Sequence, residues 1–196
     1  MILGQTILNK DGRVDYFPNF ITHGDSELYF KKLRAEIPWS KDELIMFGKK
    51  ITMRRESAWF ADGGRSYKYA GINRQGFSWP KPLNTIKERV EEVLDVQFNS
   101  CLANYYFDGN DGMGFHSDDE KMLDSQHPIA SVSIGTDRIF KFQHKATREQ
   151  KEVLLKDGSL LVMNPPCQEY WKHALPKNKK EKNSRINLTF RKVLDY

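Results

Sequence analysis

The second half of the chain consists of short runs of aromatic and β-branched residues that Gly, Asp and Pro interrupt at close intervals. Residues 129–134, 159–163 and 185–191 are runs of this kind. Short β-prone segments separated by turn residues are typical of antiparallel strands in a sandwich or barrel. We therefore expect the chain after Asn99 to form an all-β core.

Two segments of the first half have the spacing of amphipathic helices. Asp25 is predicted to cap a helix that carries Leu28, Leu33 and Ile37. A second helix is predicted from about Pro82 to Asp95, because its apolar residues recur every three or four positions. That apolar face contains Leu83, Ile86, Val90, Val93 and Leu94. We expect both helices to pack outside the β core.

Length and composition indicate one enzyme-sized domain outside any membrane. A chain of 196 residues is long enough to bury a substantial core. It contains no run of about 18 apolar residues and no N-terminal signal pattern. Its two cysteines, Cys101 and Cys167, are too few for a disulfide framework and suit a reducing compartment. We expect a monomer in the cytoplasm, or in the nucleus if the source is a eukaryote.

The net charge of +5 favours a polyanionic partner, because Lys and Arg side chains that neutralise phosphates gain affinity through counterion release. Positive charge is densest at residues 177–182. This segment either borders a nucleic-acid groove or forms a solvated loop before the last strand, and the charge pattern fits both.

The run at residues 185–191 has the clearest alternation in the sequence. Side chains alternate across a strand, so Arg185, Asn187, Thr189 and Arg191 share one face, opposite an apolar face. The two arginines lie about 20 Å apart along an extended strand, and their long side chains can lean towards a shared small ligand. The pattern is compatible with a half-exposed strand bearing two surface arginines, and also with a site that binds a dicarboxylate.

His116, Asp118 and the more distant His173 have the composition of a metal site. Two imidazoles and one carboxylate without a thiolate can hold Fe(II) and leave coordination positions free for a co-substrate and oxygen. We therefore predict an oxygenase. The remaining histidines have no comparable neighbours and are predicted to be surface or locally hydrogen-bonded residues; they are His23, His127 and His144.

The residues around this triad carry a family resemblance. Residues 104–120 read NYYFDGNDGMGFHSDDE, and further matching segments are IASVSIG at 129–135, GSLLVMN at 158–164, WKH at 171–173 and RINLTFR at 185–191. In these segments the sequence resembles the AlkB family of Fe(II)- and 2-oxoglutarate-dependent dioxygenases, most closely its DNA-repair members. The similarity extends from about residue 46 to the C-terminus.

The resemblance implies a mixed α+β fold with a double-stranded β-helix, or jelly-roll, catalytic core. We expect residues 1–196 to form a single domain. In this organisation, about 1–99 supply N-terminal supporting helices, a wedge hairpin and a nucleotide-recognition lid, and about 100–196 supply the jelly roll.

The resemblance also implies Fe(II) as the metal, with 2-oxoglutarate and O2 as co-substrates. His116, Asp118 and His173 would then be the metal ligands and catalytic residues. Arg185 and Arg191 would engage opposite ends of 2-oxoglutarate. Four further residues match co-substrate-binding positions: Asn104, Tyr106, Asn187 and Thr189.

Substrate-binding residues are implied mainly in the first half. The segment Phe47, Gly48 and Lys49 resembles a hairpin that pushes an apolar wedge into a base stack, with Lys49 as a phosphate partner. The alternative is that Met46 and Phe47 are ordinary core residues beside a turn. Arg55 and the segment Tyr67, Lys68 and Tyr69 match the recognition lid, where tyrosines would stack on a flipped base. Buried core tyrosines would give the same pattern.

Asp119 and Glu120 follow the metal-binding aspartate directly. They are candidates for contacting the exocyclic amine of a base or for orienting the metal ligands. Ordinary turn carboxylates are the alternative. By resemblance, the reaction is oxidative demethylation of N-alkylated bases in DNA, with 1-methyladenine and 3-methylcytosine as substrates and formaldehyde as a product.

Two basic residues depart from the pattern of the duplex-acting relatives. Lys50 stands where those relatives have an aromatic residue, and Arg54 stands where they have proline. Extra positive charge favours single strands, so RNA is an alternative substrate. The triad and the arginines specify an oxidant and not a substrate, so a hydroxylase of a protein or small molecule is another alternative. A non-catalytic nucleic-acid reader is a third.

Overall fold

The computed structural model describes residues 4–46, 49–64, 67–69 and 72–194. The helices are α1 (His23–Glu36), α2 (Lys81–Leu94) and the single turn α3 (Cys167–Tyr170). The strands are β1 (Gln5–Leu8), β2 (Arg13–Phe17), β3 (Ser40–Met46), β4 (Lys49–Ala61), β5 (Tyr67–Tyr69), β6 (Ile72–Arg74), β7 (Ser100–Tyr106), β8 (Met113–His116), β9 (Ile129–Gly135), β10 (Arg138–His144), β11 (Gln150–Leu155), β12 (Ser159–Asn164), β13 (Trp171–Leu175) and β14 (Arg185–Arg191).

Two antiparallel sheets form the core. The larger has eight strands in the order β1-β2-β12-β9-β14-β7-β4-β3, and the smaller has four in the order β11-β10-β13-β8. Several neighbouring strands are distant in sequence, such as β2 and β12, or β9 and β14, as expected when strands cross repeatedly between two sheets. The predicted jelly-roll core is therefore confirmed.

Strand β14 lies in the middle of the large sheet, between β9 and β7, and all seven of its residues are buried. Ile186, Leu188 and Phe190 pack in one apolar cluster with residues of both long helices. Full burial of a side chain of this size contributes about 1.5–3 kcal/mol. The helices therefore cover the outer face of the large sheet, and the polar face of β14 is directed to the opposite side.

The helices begin and end close to the predicted positions, with one correction. The cap of α1 is Thr22 and not Asp25, because the Thr22 hydroxyl accepts a hydrogen bond from the Asp25 backbone N–H (3.2 Å). Leu28, expected on the apolar face, is 49% exposed. Helix α2 matches its prediction within a residue at each end, and Asp95 terminates it in the left-handed conformation. Among the described residues, no helix has both the length and the apolar character needed to cross a membrane.

Apart from the wedge hairpin, strands in the first hundred residues were not predicted. Strand β4 pairs with β7, and β2 pairs with β12, so the large sheet continues well beyond the C-terminal half. The apolar positions of β4 are interrupted by charged residues, and one of its two partners, β7, lies far along the chain. Local pattern alone therefore did not identify it.

Hydrogen bonds join the β7–β8 loop to the β13–β14 loop, and both loops border strands of the predicted site. The Gly109 N–H donates to the Glu181 carbonyl (3.0 Å), and the Asn178 N–H donates to the Gly109 carbonyl (2.8 Å). The buried Arg138 guanidinium donates to the Asp111 and Pro176 carbonyls (2.9 and 2.8 Å). The basic segment 177–182 is thus anchored at its base to the β7–β8 loop, with exposed lysines.

We predict that Gly109→Ala destabilises the protein by about 1–3 kcal/mol, because the added methyl group would collide with the Asn178 backbone carbonyl. Urea unfolding followed by circular dichroism measures the effect. Gly24→Ala is the matched control, since no atom lies within 4 Å of its added methyl group. Gly24→Ala should leave the free energy of unfolding unchanged or raise it by up to about 1 kcal/mol, because alanine favours the α1 helix more than glycine does. Equal stability of the two variants would contradict the close approach of these loops.

Candidate metal centre

Strand pairing brings the predicted metal ligands together. His116 ends β8, His173 lies in β13, and the two are directly opposite each other in the antiparallel register. Opposed residues of neighbouring strands project from the same face, and Asp118 follows two residues after His116. One ligand atom from each of the three residues lies within 4.8 Å of the others. In the described part of the chain, no other group of His, Cys, Asp and Glu side chains meets this criterion.

Neighbouring groups orient the two imidazoles. His116 Nδ1 lies 2.8 Å from the Gly114 carbonyl, so this nitrogen donates and Nε2 is left to face Asp118 Oδ1 at 3.8 Å. A partner of this kind on the second nitrogen is usual for metal-binding histidines. The His173 ring stacks on Phe140, with ring centroids 5.4 Å apart.

The electrostatics of the triad favour the protonation states that bind a metal. Burial opposes ionisation of Asp118, but the positive charge of Arg191 and the interactions with both imidazoles outweigh it and lower the pKa of Asp118 to about 2. Burial, reinforced by the nearby His116, lowers the pKa of His173 to about 3. At neutral pH the carboxylate is therefore ionised and His173 is neutral, as metal coordination requires.

Both arginines of β14 are buried in the pocket beside the triad. Arg185 is 2% exposed and Arg191 is 5% exposed, so the alternative of a half-exposed strand with surface arginines is wrong. Arg191 donates to Asp118 Oδ2 from two nitrogens, at 2.7 and 3.2 Å. It therefore helps to orient the carboxylate of the triad.

The buried positive charge of Arg185 is less well balanced than that of Arg191, which has the Asp118 carboxylate as its partner. One of its terminal nitrogens donates to Ser133 Oγ (2.8 Å), while its buried Nε has no hydrogen-bond partner among the described residues. Burial lowers its pKa to about 10, so the guanidinium is still charged at neutral pH. A buried cation with an unsatisfied donor is costly unless an anion joins it. The carboxylate of a ligand would meet that requirement.

Strand β7 supplies a second polar wall of the same pocket. Asn104 lies opposite Asn187, and Tyr106 lies opposite Arg185 in the antiparallel register. Arg55, predicted as a substrate-binding residue of the lid, is buried in β4 and donates from Nε to Asn104 Oδ1 (3.4 Å). The predicted co-substrate residues all line this one pocket: Asn104, Tyr106, Arg185, Asn187, Thr189 and Arg191.

Sequence reasoning missed several residues that support these groups. Ser131 Oγ accepts a hydrogen bond from Asn187 (2.8 Å), and Ser133 is the partner of Arg185. Their spacing of two within an apolar strand is a signal that could have identified them, because it places both on the polar face. Gln168 was also missed. Its Oε1 accepts a hydrogen bond from the Asp118 backbone N–H (3.0 Å), and no local pattern indicates this contact.

Asp119 and Glu120 border a groove of about 540 Å³ next to the triad. The groove shares Asp118, Met163 and Arg191 with the arginine pocket. Asp119 is exposed, and its Oδ2 lies 3.6 Å from Lys145 Nζ. Both acidic residues are therefore beside the metal centre, with a lysine close to the first.

The predicted wedge and lid are described only in part. Met46 pairs with Lys49, so β3 and β4 form a hairpin at the predicted place, but Phe47 and Gly48 lie outside the described residues. The backbone of Tyr67, Lys68 and Tyr69 forms β5, which pairs with β6. Side chains of these residues and of Lys49 are outside the description, and their roles stay predictions.

The half-exposed Arg54 side chain forms an ion pair with Asp108 of the same chain. Its guanidinium donates to both carboxylate oxygens of Asp108, at 2.6 and 2.8 Å. This hydrogen bonding lowers the pKa of Asp108 well below its usual value. The ion pair offsets part of the positive charge of Arg54, and the expectation that Lys50 and Arg54 favour single strands stays a prediction.

The remaining histidines have local partners, as expected. His23 Nδ1 lies 3.0 Å from Asp157, and His144 Nε2 lies 3.2 Å from Asp11. His127 Nδ1 lies 3.0 Å from the Pro128 carbonyl.

A jelly roll with two imidazoles and one carboxylate beside buried guanidiniums defines a non-haem iron oxygenase with an anionic co-substrate. Comparison with known proteins agrees. The family model described as the 2OG-Fe(II) oxygenase superfamily matches residues 13–191. The chain is 39% identical over 181 residues to "DNA oxidative demethylase ALKBH2" of Mus musculus, covering 87% of this chain and 76% of that protein.

Two further comparisons extend this result. The Mus musculus protein "Alpha-ketoglutarate-dependent dioxygenase alkB homolog 3" is 33% identical, covering 92% of this chain and 66% of that protein. A solved structure titled "The structure of OsALKBH1" matches with a TM-score of 0.65 at 17% identity, covering 96% of this chain and 100% of that one, which supports the fold. The chain belongs to the AlkB family of 2-oxoglutarate- and Fe(II)-dependent dioxygenases.

The residues present fit the groups that the family implies. The triad has the donor set that Fe(II) prefers, with two nitrogens and one oxygen. The buried Arg185, with its unsatisfied Nε, suits a carboxylate of 2-oxoglutarate.

We predict that Arg185→Gln weakens binding of 2-oxoglutarate about 100-fold, because the variant removes one member of a buried charge pair. Calorimetry without oxygen, on protein loaded with Mn(II), measures the affinity. Arg148→Gln, at an exposed turn, is the control and should bind like the wild type. An unchanged affinity in a folded Arg185→Gln protein would exclude this residue from the co-substrate site.

We also predict that the metal-free protein loses stability on acidification through His173. Its folded pKa lies below the unfolded value, so the unfolded chain binds more protons and stability falls as pH drops below 6.5. The loss from this residue is about 2 kcal/mol between pH 7 and pH 5. Urea unfolding at both pH values should show it in the wild type and in His127→Asn, but not in His173→Asn. An equal loss in His173→Asn would contradict the buried neutral state.

Proposed function

We propose that this protein demethylates N-alkylated bases in DNA by direct oxidation and so repairs alkylation damage. The proposed substrates are 1-methyladenine and 3-methylcytosine. The relatives named DNA oxidative demethylase, at 37 to 39% identity in three mammals, provide the main support for DNA as the partner. The observation that carries the proposal is the polar pocket in which the His-Asp-His triad and both arginines of β14 meet, beside a groove that Asp119 and Glu120 line.

The proposed roles of the pocket residues follow from their contacts. His116, Asp118 and His173 would hold Fe(II), and Arg191 would orient the Asp118 carboxylate through its two hydrogen bonds. Arg185 and Tyr106 would bind the far carboxylate of 2-oxoglutarate, with the remaining polar residues of β7 and β14 lining its length. With Fe(II), 2-oxoglutarate and O2 bound, the chemistry supplied is C–H hydroxylation coupled to decarboxylation of the co-substrate to succinate and CO2. A hydroxylated N-methyl group would leave as formaldehyde.

Two of the groove residues, Asp119 and Glu120, carry the negative charge that would favour the proposed lesions. 1-Methyladenine and 3-methylcytosine are cationic, so a carboxylate beside the metal favours them over the unmodified bases. Asp119 and Glu120 both line this groove, and Asp119 also lies 3.6 Å from Lys145. We propose Asp119 and Glu120 as the contacts to the cationic base. Phe47, Gly48 and Lys49 as wedge, and Tyr67, Lys68 and Tyr69 as lid, complete the proposal.

Duplex DNA is our preferred substrate form. The ion pair between Arg54 and Asp108 offsets part of the positive charge that would favour single strands. RNA, and a protein or small molecule, stay as alternatives that the assay distinguishes. We further propose that the chain acts as one domain and as a monomer, in the cytoplasm or, in a eukaryote, in the nucleus where its substrate resides.

The test is a mass-spectrometric demethylation assay. Oligonucleotides of matched sequence carry 1-methyladenine or 3-methylcytosine as single-stranded DNA, duplex DNA or RNA, with Fe(II) and 2-oxoglutarate present. We expect repair of DNA that requires both additions, and no repair by His116→Ala. Turnover of the RNA substrate alone would identify RNA, and not DNA, as the substrate. Decarboxylation of 2-oxoglutarate without turnover of any oligonucleotide would reject the repair function.

The same assay tests the wedge. Phe47→Ala should reduce repair of the duplex substrate and spare repair of the single strand, because only the duplex needs a residue to fill the gap that the flipped base leaves. Equal losses on both substrates would indicate that Phe47 supports the fold and not the opening of the duplex.

A further inference from the structure

The segment that carries Asp118 is held by residues outside the metal triad. Strand β8 ends at His116, and the chain continues as a loop through residues 117–120. The Asp118 N–H donates to Gln168 Oε1 (3.0 Å), and the Ser117 hydroxyl donates to the Trp171 carbonyl (3.1 Å). Both acceptors lie in or directly after α3, the turn that precedes the His173 strand.

The amide of Gln168 has a defined orientation. Its Oε1 must face the Asp118 N–H, because an N–H needs an acceptor, and its Nε2 then donates to Met163 Sδ at 3.3 Å. Met163 is part of β12 and lines both the arginine pocket and the groove. Gln168 therefore links the loop of one metal ligand to the large sheet.

Lys145 contacts both the α3 turn and the loop that carries Asp118. Its Nζ donates to the Gln168 backbone carbonyl (2.8 Å) and lies 3.6 Å from Asp119 Oδ2. Lys145 follows directly after β10, the strand that pairs with the His173 strand. Two separate segments, one with Gln168 and one with Lys145, thus contact residues 118 and 119.

We infer that Gln168 is a positioning residue for the metal centre, which fixes the backbone of Asp118 so that its carboxylate meets both imidazoles. Arg191 orients the carboxylate itself, but it leaves the backbone of the loop unrestrained. Loss of the amide acceptor would leave the N–H of a buried residue unsatisfied, and the loop would relax to satisfy it. This inference rests on the assignment of His116, Asp118 and His173 as metal ligands in the proposed function.

Cobalt(II) binding tests the inference without turnover. Visible absorption of Co(II) reports both its affinity and its coordination geometry. In Gln168→Met, which has a similar length but no acceptor oxygen, we expect Co(II) to bind at least about 10-fold more weakly, with an altered spectrum. Gln168→Glu keeps an oxygen for the Asp118 N–H and should restore the wild-type spectrum. Glu169→Gln, on the neighbouring exposed position, is the control and should bind Co(II) like the wild type.

Each result bears on one step. Wild-type affinity and spectrum in Gln168→Met overturn the inference. An equal loss in Gln168→Glu assigns the effect to the lost contact with Met163 and also overturns it. If Asp118→Asn binds Co(II) as the wild type does, the metal assignment itself fails. Circular dichroism of the metal-free variants checks folding, and Gln168→Asn, whose shorter side chain withdraws the oxygen, replaces Gln168→Met if that variant does not fold.

Discussion

Burial of two guanidinium groups on one face of β14 is the constraint on which the rest of the site depends. Arg185 and Arg191 project from the strand at the centre of the large sheet, whose other face packs under the helices. Charges so far from water need anionic partners. Asp118 provides one for Arg191, and a carboxylate of the co-substrate would provide one for Arg185. The same strand therefore anchors the core and prepares the pocket.

The metal centre combines rigid and adjustable parts. The two histidines face each other across paired strands, so backbone hydrogen bonds set their separation. Asp118 lies in a loop, where its place depends on side chains, with Arg191 on the carboxylate and Gln168 on the backbone. Electrostatics reinforce this geometry, because burial and neighbouring charges keep Asp118 ionised and His173 neutral at neutral pH.

The segments proposed to select the substrate and the strands of the proposed oxidising site come from different parts of the sequence. The proposed co-substrate residues come from β7 and β14, whereas the proposed wedge and lid come from the first half. The two parts meet through β4, which begins in the hairpin at Lys49, supplies Arg55 to the pocket and pairs with β7. In the proposed function, a change in the hairpin or lid would therefore alter substrate choice and leave the triad in place.

The sequence by itself determined the chemical types and the local order: the triad residues, the alternation of β14 and the extent of α2. These features depend on residue identity and short-range periodicity. Tertiary structure alone decided the strands of the first half outside the wedge hairpin, the hydrogen bonds from Arg54 to Asp108, and the support of Asp118 by Gln168. Those contacts join residues that are far apart in the chain, and their formation depends on how the sheets stack, which no local pattern encodes.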